Sequence, residues 1–292
     1  MTAPVIAGVD GSPSSEVAAR HAAMAARRLG APLRLVHGYP NPFTYALPLD
    51  PYAMGLPEVS KAAGDMLAAF AENLRRDFPD LSIEAVEEPG GGAGVLVEQS
   101  RDASVVVVGN RGHGGFAGLN LGSVSAQIIA HAHCPTLVVR PPDCPVDAPG
   151  PVVVGTDGSE DALVAVRAAA VEAAGRDVPL RIIHAWWGDP VLVSPTSDVE
   201  RESAGRQKAQ EVVDAAVAAA TEVRPDLVVE GIAEHSLNPE YTMVEASRAA
   251  AIVVTGSHGR GGFTGLLLGS VSQALAHHAA CPVLVVPTRS RA

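Results

Sequence analysis

The sequence predicts a tandem pair of α/β domains, each a doubly wound five-stranded parallel sheet covered by helices on both faces. Three observations carry this. The chain of 292 residues is one module written twice: Gly8-Val9-Asp10-Gly11-Ser12 returns as Gly155-Thr156-Asp157-Gly158-Ser159, Arg34-Leu35-Val36-His37 as Arg181-Ile182-Ile183-His184, and Cys134-Pro135 as Cys281-Pro282, each displaced by 147 positions. A period of that length marks a duplicated domain and not a solenoid repeat, because each copy is long enough to bury its own core. Short apolar runs alternate with helix-like stretches in both copies, the pattern of strands buried on both faces of a parallel sheet. A glycine-bearing turn, Gly109-Asn110-Arg111-Gly112 followed after nine residues by Gly122-Ser123, sits where a strand hands over to a helix, and it recurs as Gly256-Ser257-His258-Gly259 with Gly269-Ser270.

Each element has its own local reason. In the first copy Val5 to Val9 is apolar and reads as a strand. Ser14 to Leu29 is Ala-rich and reads as a helix, and Leu33 to His37 is the second strand. Gly38 to Pro57 holds five prolines with Tyr39, Phe43, Tyr45 and Tyr52, so it forms no regular element and is expected to be a lid or an interface arm. A helix near Glu58 to Asp77, a strand at Ile83 to Glu87, a short helix near Val95 to Arg101 and the strand Val105 to Val108 follow. Gly122 to His131 then reads as helix and Thr136 to Val139 as the last strand. The second copy repeats this order, with Asn238-Pro239 supplying the N-cap and first residue of its third helix. Pro79-Asp80-Leu81 matches Pro225-Asp226-Leu227 at a displacement of 146, so the length changes fall in the middle of the module. The expected domains are residues 1–140 and 151–292. The linker 141–150 contains four prolines and no apolar period, which predicts an extended, stiff segment.

Composition narrows the function classes. Net charge is −11 and the acidic excess is shared by both halves. Affinity for nucleic acid comes from Lys and Arg neutralising phosphates, so no DNA or RNA partner is expected. No uninterrupted apolar stretch approaches a membrane span, and no membrane partner is expected. The N-terminus runs into a strand without a basic segment or cleavage site, so a cytoplasmic location is expected. Cys134, Cys144 and Cys281 form no CxxC pair and read as reduced core residues.

The candidate site is read from residue types. Gly109, Gly112 and Gly122 lack side chains where backbone must approach a ligand closely, and their amides are placed to meet phosphate. Ser123, Val124 and Ser125, with Ser270, Val271 and Ser272 in the second copy, occupy the first turn of the next helix, where hydroxyls and backbone donors can bind phosphate oxygens. GxxxxGK[ST] does not occur, so charge neutralisation must come from backbone, Arg111 or a bound Mg²⁺ or Mn²⁺. Nor does the first turn read GxGxxG: it carries the carboxylates Asp10 and Asp157. A carboxylate repels phosphate, which places these residues against a ribose, an adenine amine or a metal. The competing reading is an Asx turn that caps the next helix.

These residues resemble the universal stress protein family, ATP-binding type, across both halves almost end to end. That family's signature is G-x2-G-x9-G-[ST], and both copies match it. The resemblance implies an adenine nucleotide alpha-hydrolase-like fold with strand order 3-2-1-4-5 and pairing through the fifth strands, which a tandem chain can satisfy internally. It implies ATP as ligand. Adenosine would contact Gly8, Val9, Asp10 and the backbone at Gly38, ribose would lie near Gly109, and the phosphates would meet Asn110, Arg111, Gly112, His113, Gly114, Gly115 and Gly122 to Ser125. The matching second-copy positions are Gly155, Thr156, Asp157, Ala185, Gly256, Ser257, His258, Gly259, Arg260, Gly261, Gly262 and Gly269 to Ser272. Arg111 faces His258 in this comparison and His113 faces Arg260, so the two sites need not be equivalent. A homodimer of such chains and a regulatory protein partner are also implied.

No residue pair in either motif forms an acid and base for hydrolysis. Glu98 and Glu245 repeat on what reads as a solvated helix face. His37 and His184 end buried strands beside the site and read as structural histidines. His131-Ala132-His133-Cys134 points in divergent directions and is no metal cluster. A nucleotide-binding regulatory module is the leading expectation, ahead of a slow ATPase or autophosphorylating enzyme and of a nucleotide-free dimerisation scaffold.

Overall fold

A computed structural model describes residues 2–39, 56–112, 120–141, 144–187, 198–259 and 268–287. The chain divides into two compact units, Met1–Val146 and Asp147–Ala292. Unit 1 runs β1 (Val5–Gly8), α1 (Pro13–Leu29), β2 (Leu33–Tyr39), α2 (Leu56–Asp77), β3 (Ile83–Pro89), α3 (Gly92–Gln99), a 3-10 turn (Ser100–Asp102), β4 (Val105–Gly109), α4 (Ser123–His131) and β5 (Thr136–Val139). All its strand pairs are parallel and give the order β3-β2-β1-β4-β5. Unit 2 runs β6 (Val152–Gly155), α5 (Glu160–Arg176), β7 (Leu180–Trp186), α6 (Asp198–Val223), β8 (Val229–His235), α7 (Pro239–Ala246), a 3-10 turn (Ser247–Ala249), β9 (Ile252–Gly256), α8 (Ser270–His278) and β10 (Val283–Val286). Its order, β8-β7-β6-β9-β10, repeats the first. The strand orders that the family resemblance implies are thus present in both units. Most of the proline-rich stretch after Tyr39 lies outside the described residues.

The central strand fixes the rest. Val5, Ile6 and Ala7 are fully buried, and Val5 pairs with Leu33 on one side and Val105 on the other. A strand hydrogen-bonded on both edges and covered on both faces has to be apolar at every position. Right-handed crossovers then put α1 and α2 on one face and α3 and α4 on the other, and each pair packs together. On α1 the buried face is built from Ala18, Ala19, Ala22, Ala23 and Ala26. Single methyl groups let the helix lie close over β1 and β4, so contact comes from proximity and not from side-chain size. In α5, Ala165, Ala169, Ala170 and Ala173 do the same. The repeated arginines pair across strands: Arg34 Nε donates to Glu84 at 2.8 Å and Arg181 Nε to Glu230 at 2.7 Å.

The structure departs from the sequence expectations in three places. α3 begins at Gly92, three residues before Val95, because Ala93, Val95 and Leu96 are buried and their packing outweighs the poor helix propensity of Gly92 and Gly94. β2 and β3 each continue two residues further, through the pairs Gly38↔Glu88 and Tyr39↔Pro89. The linker also folds back onto unit 1. Cys144 is buried, its N–H donates to Pro141 O at 3.0 Å, and its carbonyl lies 3.2 Å from Nε2 of the buried His21. A carbonyl can only accept, so His21 carries a proton on Nε2.

All three cysteines are buried, and none of them forms a disulfide among the described residues. Burial pushes the Cys134 thiol up to about 12, which keeps it protonated and unreactive at neutral pH. Among the described residues no helix is long and apolar enough to cross a membrane.

Thr136 in β5 is almost fully buried, and its Oγ1 has no hydrogen-bond partner among the described residues. Unit 2 carries Val283 at the equivalent point. Thr136→Val is therefore expected to raise the unfolding free energy by about 1 kcal/mol, since an unpaired buried hydroxyl is replaced by a methyl of similar shape. A urea midpoint that stays put or falls would show that the hydroxyl is satisfied.

Candidate functional site

In each unit the winding direction reverses between the first and fourth strands, and the place for a crevice in such a sheet is outside their carboxyl ends. In unit 1 this crevice is a cavity of about 580 Å³, within the range of small-molecule sites. Gly8, Val9 and Asp10 enter it from the end of β1, and Val36, His37 and Gly38 from the end of β2. Gly109, Arg111 and Gly112 enter from β4 and its following turn, and Gly122 to Ser125 from the start of α4. Most of the described residues that the sequence assigned to this site therefore meet in one place. Asn110 is not among the lining residues; it is buried, and its Oδ1 accepts a hydrogen bond from Ser14 Oγ at 3.2 Å. His113, Gly114, Gly115, Arg260, Gly261 and Gly262 lie outside the described residues.

The turn after β1 is built by its own side chains. Asp10 Oδ1 accepts from Ser12 N at 3.0 Å and Ser12 Oγ at 2.6 Å. Ser12 Oγ in turn accepts from Ser15 N at 3.2 Å and caps α1. Gly11 sits at φ 83, where an L side chain costs about 1 kcal/mol or more. Unit 2 repeats every step: Asp157 Oδ1 accepts from Ser159 N at 2.9 Å and Oγ at 2.6 Å, Ser159 Oγ caps α5 through Ala162 N at 3.1 Å, and Gly158 sits at φ 77. The Asx turn is real, and it does not remove the aspartates from the site. Asp10 Oδ2 lies against Gly112 so closely that a Cβ there would collide with it. At Gly259 a Cβ would come within 2.7 Å of Asp157 Oδ2. The glycine of the loop and the carboxylate of the first turn are thus one construction.

Helix starts divide into two kinds. α1 and α5 are capped by serine hydroxyls, whereas α4 and α8 begin after Gly122 and Gly269, which offer no side-chain cap. First-turn N–H groups without a side-chain cap, at the positive end of a helix dipole, are able to receive an anion. Ser123 and Ser270 are exposed at these starts. Ser125 and Ser272 have another task. Ser125 Oγ donates to Gly109 O at 2.7 Å, and Ser272 Oγ lies 3.1 Å from Ser257 O and 2.9 Å from Gly269 O. Each hydroxyl has one proton, so these two clamp the loop through backbone carbonyls.

The repeated histidines tie strand ends together. His37 Nδ1 is 2.6 Å from Val9 O and His184 Nδ1 is 2.8 Å from Thr156 O, which requires the proton on Nδ1 in both rings. Glu98 and Glu245 pair on the surface with Arg101 and Arg248, each at 3.0 Å.

Sequence reading missed Ser15, Val36, Gly92, Leu96, Val108 and Leu121, which also line the cavity. One signal could have pointed to part of this set: Gly90-Gly91-Gly92 spans the step from β3 into the first residue of α3, while unit 2 has Leu237-Asn238-Pro239 there. Unit 2 differs elsewhere too. Met243 takes the place that Leu96 has against the first-strand glycine, Ala185 replaces Gly38 near the strand end, and Ser257 Oγ sits 3.1 Å from His258 Nδ1.

Both copies match the model of the universal stress protein family, over residues 1–140 and 150–287. The chain belongs to the universal stress protein family. A universal stress protein of Mycolicibacterium smegmatis is 36% identical, with 98% of this chain and 97% of that protein covered. One from Mycobacterium tuberculosis H37Rv is 35% identical over 96% of this chain and 95% of its own length. The crystal structure of a universal stress protein from Archaeoglobus fulgidus shares the fold, with a TM-score of 0.70 at 18% identity, covering 99% of this chain and 100% of that one. These relatives match the tandem universal stress protein along its full length, so the doubling belongs to them as well.

Proposed function

We propose that each unit of this universal stress protein binds one adenine nucleotide, ATP with Mg²⁺ or Mn²⁺ held through its phosphates, and that occupancy regulates a protein partner. One observation carries the reading: in unit 1 the uncapped start of α4, the glycine turn after β4 and the apolar side chains of Val36, Leu96 and Val108 line a single cavity. An anion suits the first two and a flat apolar base the third. Arg111 lines the same cavity and can supply positive charge there. Asp10 is held by Ser12 with its other oxygen against Gly112, and its charge suits a ribose hydroxyl, an adenine amine or a metal better than a phosphate. The two groups nearest to catalytic chemistry, Asp10 and His37, are each engaged in holding the turn, which supports binding over hydrolysis. In this reading the protein works in the cytoplasm, and copies of the chain can associate as a homodimer.

Freshly purified protein, denatured in mild acid, should release adenine nucleotide in a ratio of one per unit, read by chromatography. No released nucleotide, together with no calorimetric heat on adding ATP and Mg²⁺, would sink the reading.

A further inference from the structure

We propose that Gly92, the first residue of α3, is a specificity-determining residue of the unit 1 site, where its missing side chain keeps open the wall against which a planar base packs. This rests on the nucleotide reading above. The fold itself does not require glycine at this position. Gly92 is not among the glycines with positive φ, and a Cβ built on it would meet only Val124 Cγ2, at 4.0 Å, an ordinary contact. At the first position of a helix alanine is the better residue, because glycine loses more conformational freedom on folding. Even proline fits there by local geometry, since Gly91 before it is extended at φ −68 and ψ 132. Unit 2 has that residue, Pro239, at the equivalent position.

What glycine does supply is bare backbone facing the cavity. Gly38 brings the wall into place: a Cβ on Gly38 would lie 2.8 Å from Gly92 Cα and 3.0 Å from Gly92 N, so β2 and α3 approach as closely as they do only because residue 38 lacks a side chain. Gly92 then lines the cavity beside Gly38, Leu96 and Val108 and alongside Val124 of α4. A slot bounded by peptide backbone and aliphatic side chains suits a flat heteroaromatic ring. A methyl group on residue 92 would project from that wall, next to Val124, without disturbing the protein. Unit 2 carries Ala185 and Pro239 at the equivalent positions, so the two units differ there as well as in Arg111 against His258.

The test uses the full chain carrying Ser270→Glu, which places a carboxylate at the α8 start and leaves unit 1 as the reporting site. Calorimetric titrations of ATP and of UTP, with thermal unfolding in parallel, compare this parent with versions that add Gly92→Ala or Gly92→Pro. The expected result is a loss of about tenfold or more in ATP affinity, the usual scale for one extra methylene-sized group in a pocket. UTP, whose single ring reaches the wall less, should lose clearly less, and the unfolding midpoint should hold or rise in Gly92→Ala. Unchanged ATP affinity in both variants would overturn the proposal, as would equal losses for ATP and UTP or a lost unfolding midpoint. If the parent itself binds no ATP, the nucleotide reading falls and takes the wall with it; if the parent binds and the variants match it, only the wall falls.

Discussion

Ser123→Glu combined with Ser270→Glu is expected to abolish nucleotide binding by the full chain while leaving its thermal midpoint unchanged. Both serines are exposed first residues of helices that start without a side-chain cap. An acidic residue there interacts favourably with the helix dipole, so the fold should tolerate the change or gain slightly from it. A bound phosphate would meet a like charge at close range. Two unit charges 4 Å apart near a protein surface repel by about 4 kcal/mol, which makes a loss of about 100-fold or more in affinity the expected outcome. Calorimetry with ATP and Mg²⁺ reads the loss, and each single variant should lose one of the two sites. Binding that survives in the double variant would show that the amides of α4 and α8 do not hold phosphate.

Gly109→Asp, by contrast, is expected to damage the protein before it damages the site. A Cβ on Gly109 would lie 2.9 Å from Ser14 O and 3.0 Å from Ser14 C, and nearer still to Ser14 Oγ. The start of α1 would have to lift from β4, and a carboxylate would enter a buried strand end. Overpacking and an unpaired buried charge together cost about 3 kcal/mol or more, a large share of the stability of an ordinary domain. Urea unfolding should register that loss as an early transition. The matching change at Gly256 should cost less, because the nearest atoms there are His258 O at 3.1 Å and Asp161 O at 3.8 Å. A Gly109→Asp chain with an unshifted urea midpoint would mean that α1 yields freely.

The parts of the fold that were legible in the sequence are those where one residue's environment is set by its own element. Thr136–Val139 is the strand that its apolar run predicts, and Ser12 and Ser159 cap the helices that follow them. The two Asp-Gly-Ser turns and the two glycine loops stand out in the sequence because they recur in register, and in unit 1 they line one cavity. What could not be read depends on distances between elements. Ser125 reads as a phosphate ligand until Gly109 O is found 2.7 Å from its hydroxyl. The early start of α3 is hidden by two glycines and revealed only by the burial of Ala93, Val95 and Leu96. Cys144 gives no sign that His21, far away in sequence, holds its carbonyl. The wall formed by Gly92 and Leu96 follows from the approach of α3 to β2, which no periodicity encodes.

The first-turn aspartates have their orientation settled before any ligand arrives. Each carboxylate is anchored through one oxygen to the serine that also starts the next helix. Immobilising a side chain at a binding surface costs about 0.5–1.5 kcal/mol, and here folding has already met that cost. Association and conformational stability are therefore linked through Ser12 and Ser159. A change that frays the first turn of α1 or α5 would weaken capture of the ligand without altering any atom that touches it, and heat or denaturant should release the ligand well before the sheet itself comes apart.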